Sequence, residues 1–539
     1  MKINFLPQNK KTRNEIFLAI VSGILLGFSF PPFHFYFFAF IALIPYFVAL
    51  NKRNGLAEIN RLTYIFAFFF SLITLYWVGS WTKDADPFLM LSGTVLLFFN
   101  PLLFLIPSTL FYLAKKHFSA KTSFIMLPFF WVTYEFLYSV TDFRFPWLTL
   151  GNSQPYFTSF IQISDIIGVY GLTLIIIFIN IFIYWGFSEV RNNRKLSDKY
   201  FTFAILLFVI PILYSYQVKD EQYEKGTPLK VGLIQPNLNP WKKWDAGNLD
   251  EQINLYLSLS RKAIDKGAKL IVFPESALPV YLTMPSYSRE LQKIHDFVDS
   301  AKVVLLTGMP DINFYKNGNA PREAKKFKNG TGAYTSYNSA YLFLPGVDTI
   351  QEYHKVKLVP FGEKIPLVEE FPFLEKFFRW NVGISSWNVG EGASNLTINS
   401  SLKLGAVICI ESIYPEYVSE FVNKGANLLA VITNDSWYGK TSGPYQHAAY
   451  AILRAVENRR FVVRTANGGI SAIISPSGKI IAQTELYAKT FLVGNVYPLY
   501  LKTFYTKHPY IIPFISLLVT CFVLMIVIFS KIKQRRKNE

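Results

Sequence analysis

Long apolar runs alternate with short polar segments through the first 216 residues of the chain. Each run is close to the roughly 20 residues that a helix needs to cross the hydrocarbon core of a bilayer. This pattern predicts about seven membrane-spanning helices, and one more near the C-terminus. The runs lie at 15–31, 35–50, 62–81, 88–114, 123–140, 167–187, 200–216 and 510–530.

The first two runs are short, and Pro31 and Pro32 separate them. One re-entrant hairpin is an alternative for this pair, but two tilted spans fit the pattern better. A removable signal peptide is disfavoured, because no small-residue cleavage site follows the first run and further spans come after it. The runs predict an N-terminal transmembrane domain at 1–217 and a C-terminal transmembrane helix at 509–530.

Lysine and arginine are concentrated at alternate ends of these runs. Cytoplasmic loops carry the excess of basic residues, so the alternation assigns every loop to one side of the membrane. Both termini are expected in the cytoplasm, with a basic tail at 531–539, and the segment after residue 216 on the outer side. The basic residues are Lys10, Lys11, Arg13, Lys52, Arg53, Arg61, Lys115, Lys116, Lys121, Arg191, Arg194, Lys195, Lys199, Lys531, Lys533, Arg535, Arg536 and Lys537.

The pattern changes at about Pro228. Short runs with strand character alternate with amphipathic stretches until about residue 498, which predicts a layered α/β domain with its sites at strand ends. Residues 337–344 and 350–358 are expected to pair as antiparallel strands, and 311–335 to form a solvated loop. Other strands are predicted at 230–236, 269–273, 303–306, 402–410, 427–433, 461–464 and 469–474, and helices at 248–266, 288–300, 415–424 and 443–458.

The composition agrees with a membrane domain joined to a soluble domain. Hydrophobic residues make up 51% of the chain and charged residues only 17%. The formal net charge of +18 can indicate a nucleic-acid partner, but the basic residues form no such motif and cluster beside the apolar runs. We therefore attribute the charge to loops that face anionic lipids. The two cysteines, Cys409 and Cys521, provide no disulfide framework.

Three motifs place chemically active side chains at or beside the ends of predicted strands. Glu275 follows the strand 269–273, Lys355 and Lys357 are two residues apart in the strand 350–358, and Cys409 is near the end of the strand 402–410. Alternation along a strand predicts that the two lysines share one face. Each motif alone also has a structural explanation: a helix cap or solvated acid, an edge lysine pair that blocks aggregation, and a packed core thiol.

Together, the three motifs supply what a cysteine nucleophile needs. A thiol requires a base to become a thiolate, and Glu275 can serve as that base. A tetrahedral intermediate requires a cation or N–H donors, which Lys355 and the backbone N–H after Cys409 can supply. A Cys–His pair that uses His354 or His447 is the alternative.

At these residues the chain resembles the carbon–nitrogen hydrolase (nitrilase) superfamily, which uses a Glu-Lys-Cys triad on an αββα sandwich. A nitrilase-like domain between seven spans and an eighth resembles, more narrowly, the apolipoprotein N-acyltransferase family of bacterial envelopes. The resemblance extends over essentially the whole chain. Its motifs are Pro274-Glu275-Ser276, Lys355-Val-Lys-Leu-Val-Pro-Phe-Gly-Glu363, Ile408-Cys409-Ile-Glu411, Thr433-Asn-Asp-Ser-Trp-Tyr-Gly439, Gly443-Pro-Tyr-Gln-His447 and Arg454-Ala-Val-Glu457-Asn-Arg-Arg460.

The resemblance implies roles for individual residues. Glu275 would be the base, Lys355 the oxyanion stabiliser and Cys409 the nucleophile, with no cofactor and no metal site. The supporting residues would be Glu363, which orients the lysine, Glu411, the acid beside the cysteine, and Trp244, an aromatic side chain on a flexible lid. Ile410 departs from the family pattern, in which a tyrosine is common at this position. The resemblance therefore implies a role only for the backbone N–H of Ile410.

A two-step acyl transfer is the activity that the resemblance implies. Cys409 would take an acyl chain from a membrane phospholipid as a thioester, and the N-terminal amine of a diacylglyceryl apolipoprotein would accept it. The expected enzyme is a monomer without a nucleic-acid partner. It would span the bacterial cytoplasmic (inner) membrane many times, with a catalytic domain at 228–498 on the periplasmic side.

Aromatic residues mark two places that bear on a lipid substrate. Trp81, Phe143, Trp147 and Tyr156 in the outer loops suit either an interfacial aromatic belt or a lipid-facing vestibule. The segment 366–387 interleaves large apolar and charged residues, which is typical of an arm lying in the membrane interface. Packing of this segment on its own domain is the alternative, but a lid over a lipid-filled cleft is favoured.

Two other functions stay open at this point. One is a membrane-tethered nitrilase-like amidase that acts on small amides. The other is a non-catalytic transporter or sensor with a degenerate outer domain. Transport is disfavoured, because the apolar runs contain few ionisable residues and show no obvious repeat.

Overall fold

The computed structural model describes residues 10–81, 87–242, 249–316, 319–327, 332–368, 370–371 and 387–538. Within these ranges, the N-terminal part is helical and the central part contains two sheets flanked by helices. A short helix, α14 (Phe504–Lys507), and a long helix, α15 (Ile511–Asn538), follow the sheets. The N-terminal helices are α1 (Lys10–Phe28), α2 (Ile44–Asn51), α3 (Leu56–Leu75), α4 (Pro87–Leu103), α5 (Leu105–His117), α6 (Ala120–Val140), α7 (Thr158–Ile161), α8 (Ser164–Glu189) and α9 (Arg194–Ser215).

Several of these helices have the length and composition of membrane spans. Large apolar side chains are exposed on α4, α9 and α15, including Leu91, Ile205 and Leu518, as expected for surfaces that contact lipid tails. In the described part of the chain, six helical stretches are long and apolar enough to cross a membrane: Leu56–Gly79, Leu89–His117, Ala120–Val140, Ser164–Glu189, Arg194–Ser215 and Ile511–Arg536.

The first two predicted spans have a different character. The first run lies mostly in α1, which begins with several charged residues, and the second corresponds to the shorter apolar stretch Tyr36–Asn51. The count of seven N-terminal spans therefore stays a prediction.

The central domain consists of two sheets. The first sheet has the strand order β13-β1-β2-β3-β5-β4, with β6 also paired to β5, and the second has the order β12-β11-β10-β9-β8-β7. The strands are β1 (Leu229–Gln235), β2 (Leu270–Val272), β3 (Val304–Tyr315), β4 (Lys325–Lys326), β5 (Ala333–Phe343), β6 (Gln351–His354), β7 (Asn395–Asn399), β8 (Leu402–Ile408), β9 (Leu428–Thr433), β10 (Val462–Ala466), β11 (Ala472–Ile474), β12 (Ile480–Gln483) and β13 (Thr490–Val496).

Helices cover the outer face of each sheet. The amphipathic helices α10 (Leu249–Asp265) and α11 (Ser288–Ala301) bury one core against the first sheet. Strand β1 lies against β10, and β5 against β8, so the two sheets face each other. Helices α12 (Pro415–Asn423) and α13 (Ser442–Asn458) pack on the second sheet. This arrangement confirms the predicted αββα sandwich.

The second sheet and its helices rest on the membrane helices. Helix α13 packs against α8, and the backbone N–H of Val169 in α8 donates to the Glu457 carboxylate at 3.0 Å. The buried Arg459 guanidinium forms an ion pair of 2.7 Å with Asp165 of α8. Because both interactions are buried, they fix the central domain relative to the membrane helices.

Two predictions of local structure are wrong. The polar composition of 311–335 predicts a solvated loop, but β3 extends to Tyr315 and pairs Asp311 with Tyr337 of β5. The segment 350–358 is predicted as one strand, but β6 ends at His354, so strand alternation does not apply to Lys355 and Lys357. In both places the extent of a strand is decided by its partner strand, which local polarity does not reveal.

Candidate active site

Three predicted catalytic side chains lie just after the ends of three strands. Glu275 comes shortly after β2, Lys355 directly after β6 and Cys409 directly after β8. Strands β2 and β6 belong to the first sheet and β8 to the second, so the residues come together only because the sheets face each other. The charges of Glu275 and Lys355 both act on the Cys409 thiol.

Lys355 lies between two carboxylates. Its Nζ is 3.0 Å from Glu275 Oε1 and 2.9 Å from Glu363 Oε1, and its side chain is 0% exposed. Burial lowers the pKa of this amine, but the charges of Glu275 and Glu363 raise it well above its ordinary value. Lys355 is therefore a fixed cation at the site, and Glu363 has the contact that its predicted role requires.

Asn338 of β5 is a site residue that the sequence analysis missed. Its buried amide Nδ2 donates to Glu275 Oε1 at 2.8 Å and to Glu363 Oε1 at 3.0 Å. The remaining carboxylate oxygens accept from the backbone: Glu275 Oε2 from Asn434 and Glu363 Oε2 from Val359. Each oxygen of both carboxylates thus has a donor, which offsets the cost of burying two negative charges. A polar Asn inside a mostly buried strand was the available signal.

Cys409 begins a one-turn 3-10 helix, Cys409–Ile413, immediately after β8. Its φ angle is +51°, in the left-handed region that a residue with a side chain rarely adopts. Burial raises the pKa of the partly exposed thiol, Glu275 raises it further and Lys355 lowers it, and the balance lies above the ordinary value. A protonated thiol needs a base before it can attack, and the Glu275 carboxylate is close enough for its charge to act on the thiol.

Glu411 stabilises the turn at Cys409 through the hydrogen bonds that its carboxylate accepts. Its carboxylate accepts from the Ile408 N–H at 2.8 Å, the Val356 N–H at 2.7 Å and the Tyr353 hydroxyl at 2.7 Å. These donors lie beside Cys409 on one side and beside Lys355 on the other. One carboxylate therefore connects the two strand ends that carry the nucleophile and the cation.

The two candidate histidines have other partners. Both ring nitrogens of His447 are engaged: Nδ1 lies 2.8 Å from Asp435, and Nε2 lies 2.9 Å from Ser412 Oγ and 3.1 Å from the Cys409 carbonyl oxygen. His354 Nε2 lies 3.1 Å from Asp311. Neither arrangement favours a Cys–His pair.

Residues from the membrane helices and the outer loops contact the segments that surround the candidate active site. Gln446 of α13 accepts from the indole N–H groups of Trp77 and Trp147, at 3.0 and 2.7 Å. The Trp77 ring packs on Tyr438 with a centroid separation of 4.7 Å, in the loop that also contains Asn434. Trp147 is buried, so it is a packing residue, whereas Trp81 and Phe143 are partly exposed and fit a vestibule.

The remaining predicted residues divide into three cases. Trp244 and most of the lid segment 366–387 lie outside the residues that the structure describes. The Ile410 side chain is buried in the hydrophobic core. Lys357 lies over the rings of Tyr414 and Tyr417 at 5.4 and 5.2 Å, away from the carboxylate pair that holds Lys355.

Comparison with known proteins relates both halves of the chain to described families. A family model described as "Carbon-nitrogen hydrolase" matches residues 230–501. A second, described as "Apolipoprotein N-acyltransferase N-terminal domain", matches residues 22–182. A branch 10 member of the nitrilase superfamily from Saccharomyces cerevisiae, solved by crystallography, has 18% identity and a TM-score of 0.38, covering 53% of this chain and 95% of its own.

Relatives match over nearly the whole length. An apolipoprotein N-acyltransferase of Chlorobaculum tepidum is 34% identical over 514 residues, which cover 93% of this chain and 94% of the relative. An enzyme of the same name from Geobacter metallireducens is 32% identical over 504 residues, covering 92% of each chain. The chain is thus a multi-pass membrane protein and an acyltransferase, and it belongs to the apolipoprotein N-acyltransferase family.

Proposed function

We propose that the protein transfers an acyl chain from a membrane phospholipid to the N-terminal amine of a diacylglyceryl apolipoprotein, through a thioester on Cys409. The observation that carries this proposal is the fixed pair of charges beside the thiol. Lys355 Nζ lies about midway between two carboxylates at 3.0 and 2.9 Å, in a domain that rests on membrane helices.

In the first step, Glu275 takes the proton of the Cys409 thiol and the sulfur attacks the ester carbonyl. The carbonyl oxygen becomes an oxyanion, which Lys355 and the backbone N–H of Ile410 stabilise. When the intermediate collapses, the ester oxygen leaves with the proton held by Glu275, giving lysophospholipid and an acyl thioester. The raised pKa of Cys409 keeps the thiol protonated at rest, so the attack requires a base to take the proton as the sulfur attacks.

In the second step, Glu275 deprotonates the α-amine of the acceptor as the amine attacks the thioester. The sulfur leaves, takes back the proton and regenerates the thiol. Water competes with the amine for the thioester, so the site must exclude water while the thioester exists. The membrane helices keep the site where both lipid-anchored substrates are confined, and ping-pong kinetics follow from the covalent intermediate.

Labelling of the cysteine tests this function. Purified full-length protein mixed with a phospholipid that carries a tagged acyl chain should become labelled on Cys409. Cys521→Ala is the matched control and should label normally, since Cys521 lies on the exposed side of α15. Labelling that persists in Cys409→Ala would refute the assignment of the nucleophile.

The acceptor is tested separately. Mass spectrometry of a lipoprotein N-terminal peptide, from cells with and without the protein, should show one additional acyl chain when the protein is present. An unchanged acyl count, combined with hydrolysis of small amides by the purified protein, would favour a membrane-tethered amidase. Full lipoprotein maturation by Cys409→Ser would favour a non-catalytic role.

We also propose a placement in the membrane: transmembrane helices at 1–217 and 509–530, a cytoplasmic tail at 531–539, and a periplasmic catalytic domain at 228–498 in the bacterial inner membrane. The alternation of basic loops supports it. In a Cys409→Ala, Cys521→Ala background, Asn319→Cys should react with an impermeant maleimide in intact spheroplasts. Lys195→Cys should react only after permeabilisation, and the reverse result would overturn the orientation.

A further inference from the structure

The first sheet carries a second polar cluster on the face opposite the candidate active site. Tyr341 and Met309 pack with α10 and α11, whereas Ala340 and Tyr353 belong to the core that lies between the sheets. Side chains alternate between these faces along β5 and β6. His354 pairs with Ser339 and Glu352 with Tyr341, so both point toward the α10–α11 side.

Asp311, Glu352 and His354 meet on this outer face, and we call them the outer cluster. Their ligand-type atoms all lie within 4.8 Å of one another. His354 Nε2 is 3.1 Å from Asp311 Oδ2 and 3.8 Å from Glu352 Oε1. Asp311 comes from β3 and the other two from β6, so their side chains meet over the intervening strand β5.

The surroundings of the outer cluster contain buried hydroxyl groups without hydrogen-bond partners. Tyr341 is 1% exposed, and burial together with the nearby carboxylates of Asp311 and Glu352 raises the pKa of its hydroxyl. Thr307 and Ser339, on the same face, have hydroxyls without hydrogen-bond partners and are 0% exposed. Buried polar atoms rarely stay unpartnered, so these two hydroxyls leave room on this face for a polar ligand.

The donor set indicates the class of ligand. One imidazole nitrogen and two carboxylate oxygens suit a first-row divalent cation such as Zn²⁺, whereas Ca²⁺ and Mg²⁺ prefer oxygen ligands alone. Tetrahedral Zn²⁺ with bonds of about 2.0–2.1 Å separates its ligands by roughly 3.3 Å. The two measured His–carboxylate distances, 3.1 and 3.8 Å, lie on either side of this value.

We propose that Asp311, Glu352 and His354 bind one Zn²⁺ ion on the outer face of the first sheet. Glu352 is 47% exposed, which leaves an open side for entry and for a fourth ligand from solvent. The ion connects β3 to β6 across β5, and β6 ends at the residue before Lys355. Its role is structural, and this departs from the prediction of no metal site made from the sequence. A protonated His354 that donates to Asp311 is the competing arrangement.

Metal binding by the full-length protein in detergent tests the proposal. Chelator-stripped protein is dialysed against Zn²⁺, bound metal is counted by mass spectrometry, and affinity is measured by competition with a chromogenic chelator. We expect about one ion per chain and a rise in the unfolding temperature on binding. His354→Gln and Asp311→Asn should each weaken binding by at least about tenfold.

Matched variants separate the outer cluster from other ligands. His295→Gln removes another histidine of the same domain and Cys409→Ser removes the thiol, and both should bind Zn²⁺ as the unmodified protein does. If Asp311→Asn fails to fold, Glu352→Gln changes a half-exposed side chain and serves the same purpose. Binding of less than about a tenth of an equivalent, or equal affinity in His354→Gln and the unmodified protein, would overturn the proposal, as would loss of the ion in Cys409→Ser.

Discussion

Each face of the first sheet carries a cluster of two carboxylates and one basic side chain, and the two clusters differ in the basic side chain that they contain. On the inner face, Lys355 lies between the carboxylates of Glu275 and Glu363. On the outer face, His354 lies near the carboxylates of Asp311 and Glu352. Two residues adjacent in sequence therefore enter different clusters. His354 is the last residue of β6 and points to the outer face, whereas Lys355 lies just beyond the end of the strand and contacts Glu275 and Glu363 on the inner face.

The clusters differ in how their negative charges are compensated. The inner carboxylates accept from a permanent cation, an amide and two backbone N–H groups. The outer cluster has a histidine, which is a cation only when protonated, and unpartnered hydroxyls around it. A lysine compensates the carboxylates of the inner cluster within the chain, although Asn338 Oδ1 is buried there without a partner, while the outer cluster suits an added cation.

The largest expected effect comes from removing the cation of the inner face. Lys355→Met leaves two buried carboxylates without their positive partner and the oxyanion without its donor. We expect acyl transfer to fall by at least about a thousandfold, and the free energy of unfolding to fall by about 3–5 kcal/mol. Acyl transfer is measured from a tagged phospholipid to a diacylglyceryl peptide. The free energy of unfolding is measured by denaturant unfolding in detergent.

Lys357→Met is the matched control for that change. This lysine is two residues away but lies over Tyr414 and Tyr417, so acyl transfer should stay within about threefold, since a partly desolvated cation–π pair contributes only about 1 kcal/mol. Equal losses in the two variants would mean that the carboxylate pair gives Lys355 no special role.

A smaller loss is expected at Asn338, which bridges the two inner carboxylates. Asn338→Leu keeps the size of the side chain but removes the donor that fixes Glu275 and Glu363 relative to each other. The turnover number should fall by about 10–100-fold, because a base out of position transfers protons poorly. The Michaelis constant for the phospholipid should change less. A change confined to the Michaelis constant would contradict this positioning role.

Glu411 connects the inner face to the cysteine turn, and its titration should be visible in stability. Burial raises its pKa from 4.5 to about 7, although hydrogen bonds from Ile408 and Tyr353 lower it. The fold thus favours the protonated carboxyl. This contribution to the free energy of unfolding is complete below about pH 4.5 and is lost as the pH rises through about 7.

Glu411→Gln removes this titration, so its unfolding temperature should fall less than that of the unmodified protein between pH 4.5 and 7. Other buried groups titrate equally in both proteins, and the difference between the two curves isolates Glu411. Parallel curves would show that Glu411 is ionised in the fold throughout this range.

The smallest effect is expected on the outer face. The Tyr337 ring stacks on His354 with a centroid separation of 4.1 Å and an interplanar angle of 3°. Tyr337→Leu should lower the free energy of unfolding by about 0.5–1.5 kcal/mol and leave acyl transfer within about twofold. A large loss of activity would show that the two faces are coupled through β5.

Much of the fold and of the candidate site could be predicted from the sequence, because the signals are local. Apolar runs of membrane length predict helices, and alternation of strands and amphipathic helices predicts an α/β sandwich. The residues Glu275, Lys355 and Cys409 stand near strand ends within short motifs, so their chemistry could be predicted before their geometry was known.

Other features depend on pairing between distant segments. Asn338 enters the site because β5 lies between β3 and β6, and no local pattern shows which polar residue of a strand faces a carboxylate. Asp311 belongs to a strand because β5 offers it a partner in register. The different surroundings of Lys355 and Lys357 depend on where β6 ends.

Contiguous segments of the sequence are enough to predict the membrane-spanning character, the class of the central fold and the three residues proposed for catalysis, since helix length, strand periodicity and short motifs are local features. The folded chain was needed to show which side chains share a face, that Glu411 anchors the cysteine turn, and that Asp311, Glu352 and His354 form a second cluster. These outcomes depend on strand register and on the facing of two sheets, which join residues far apart in the chain, such as Glu275 and Asn434, 159 positions apart.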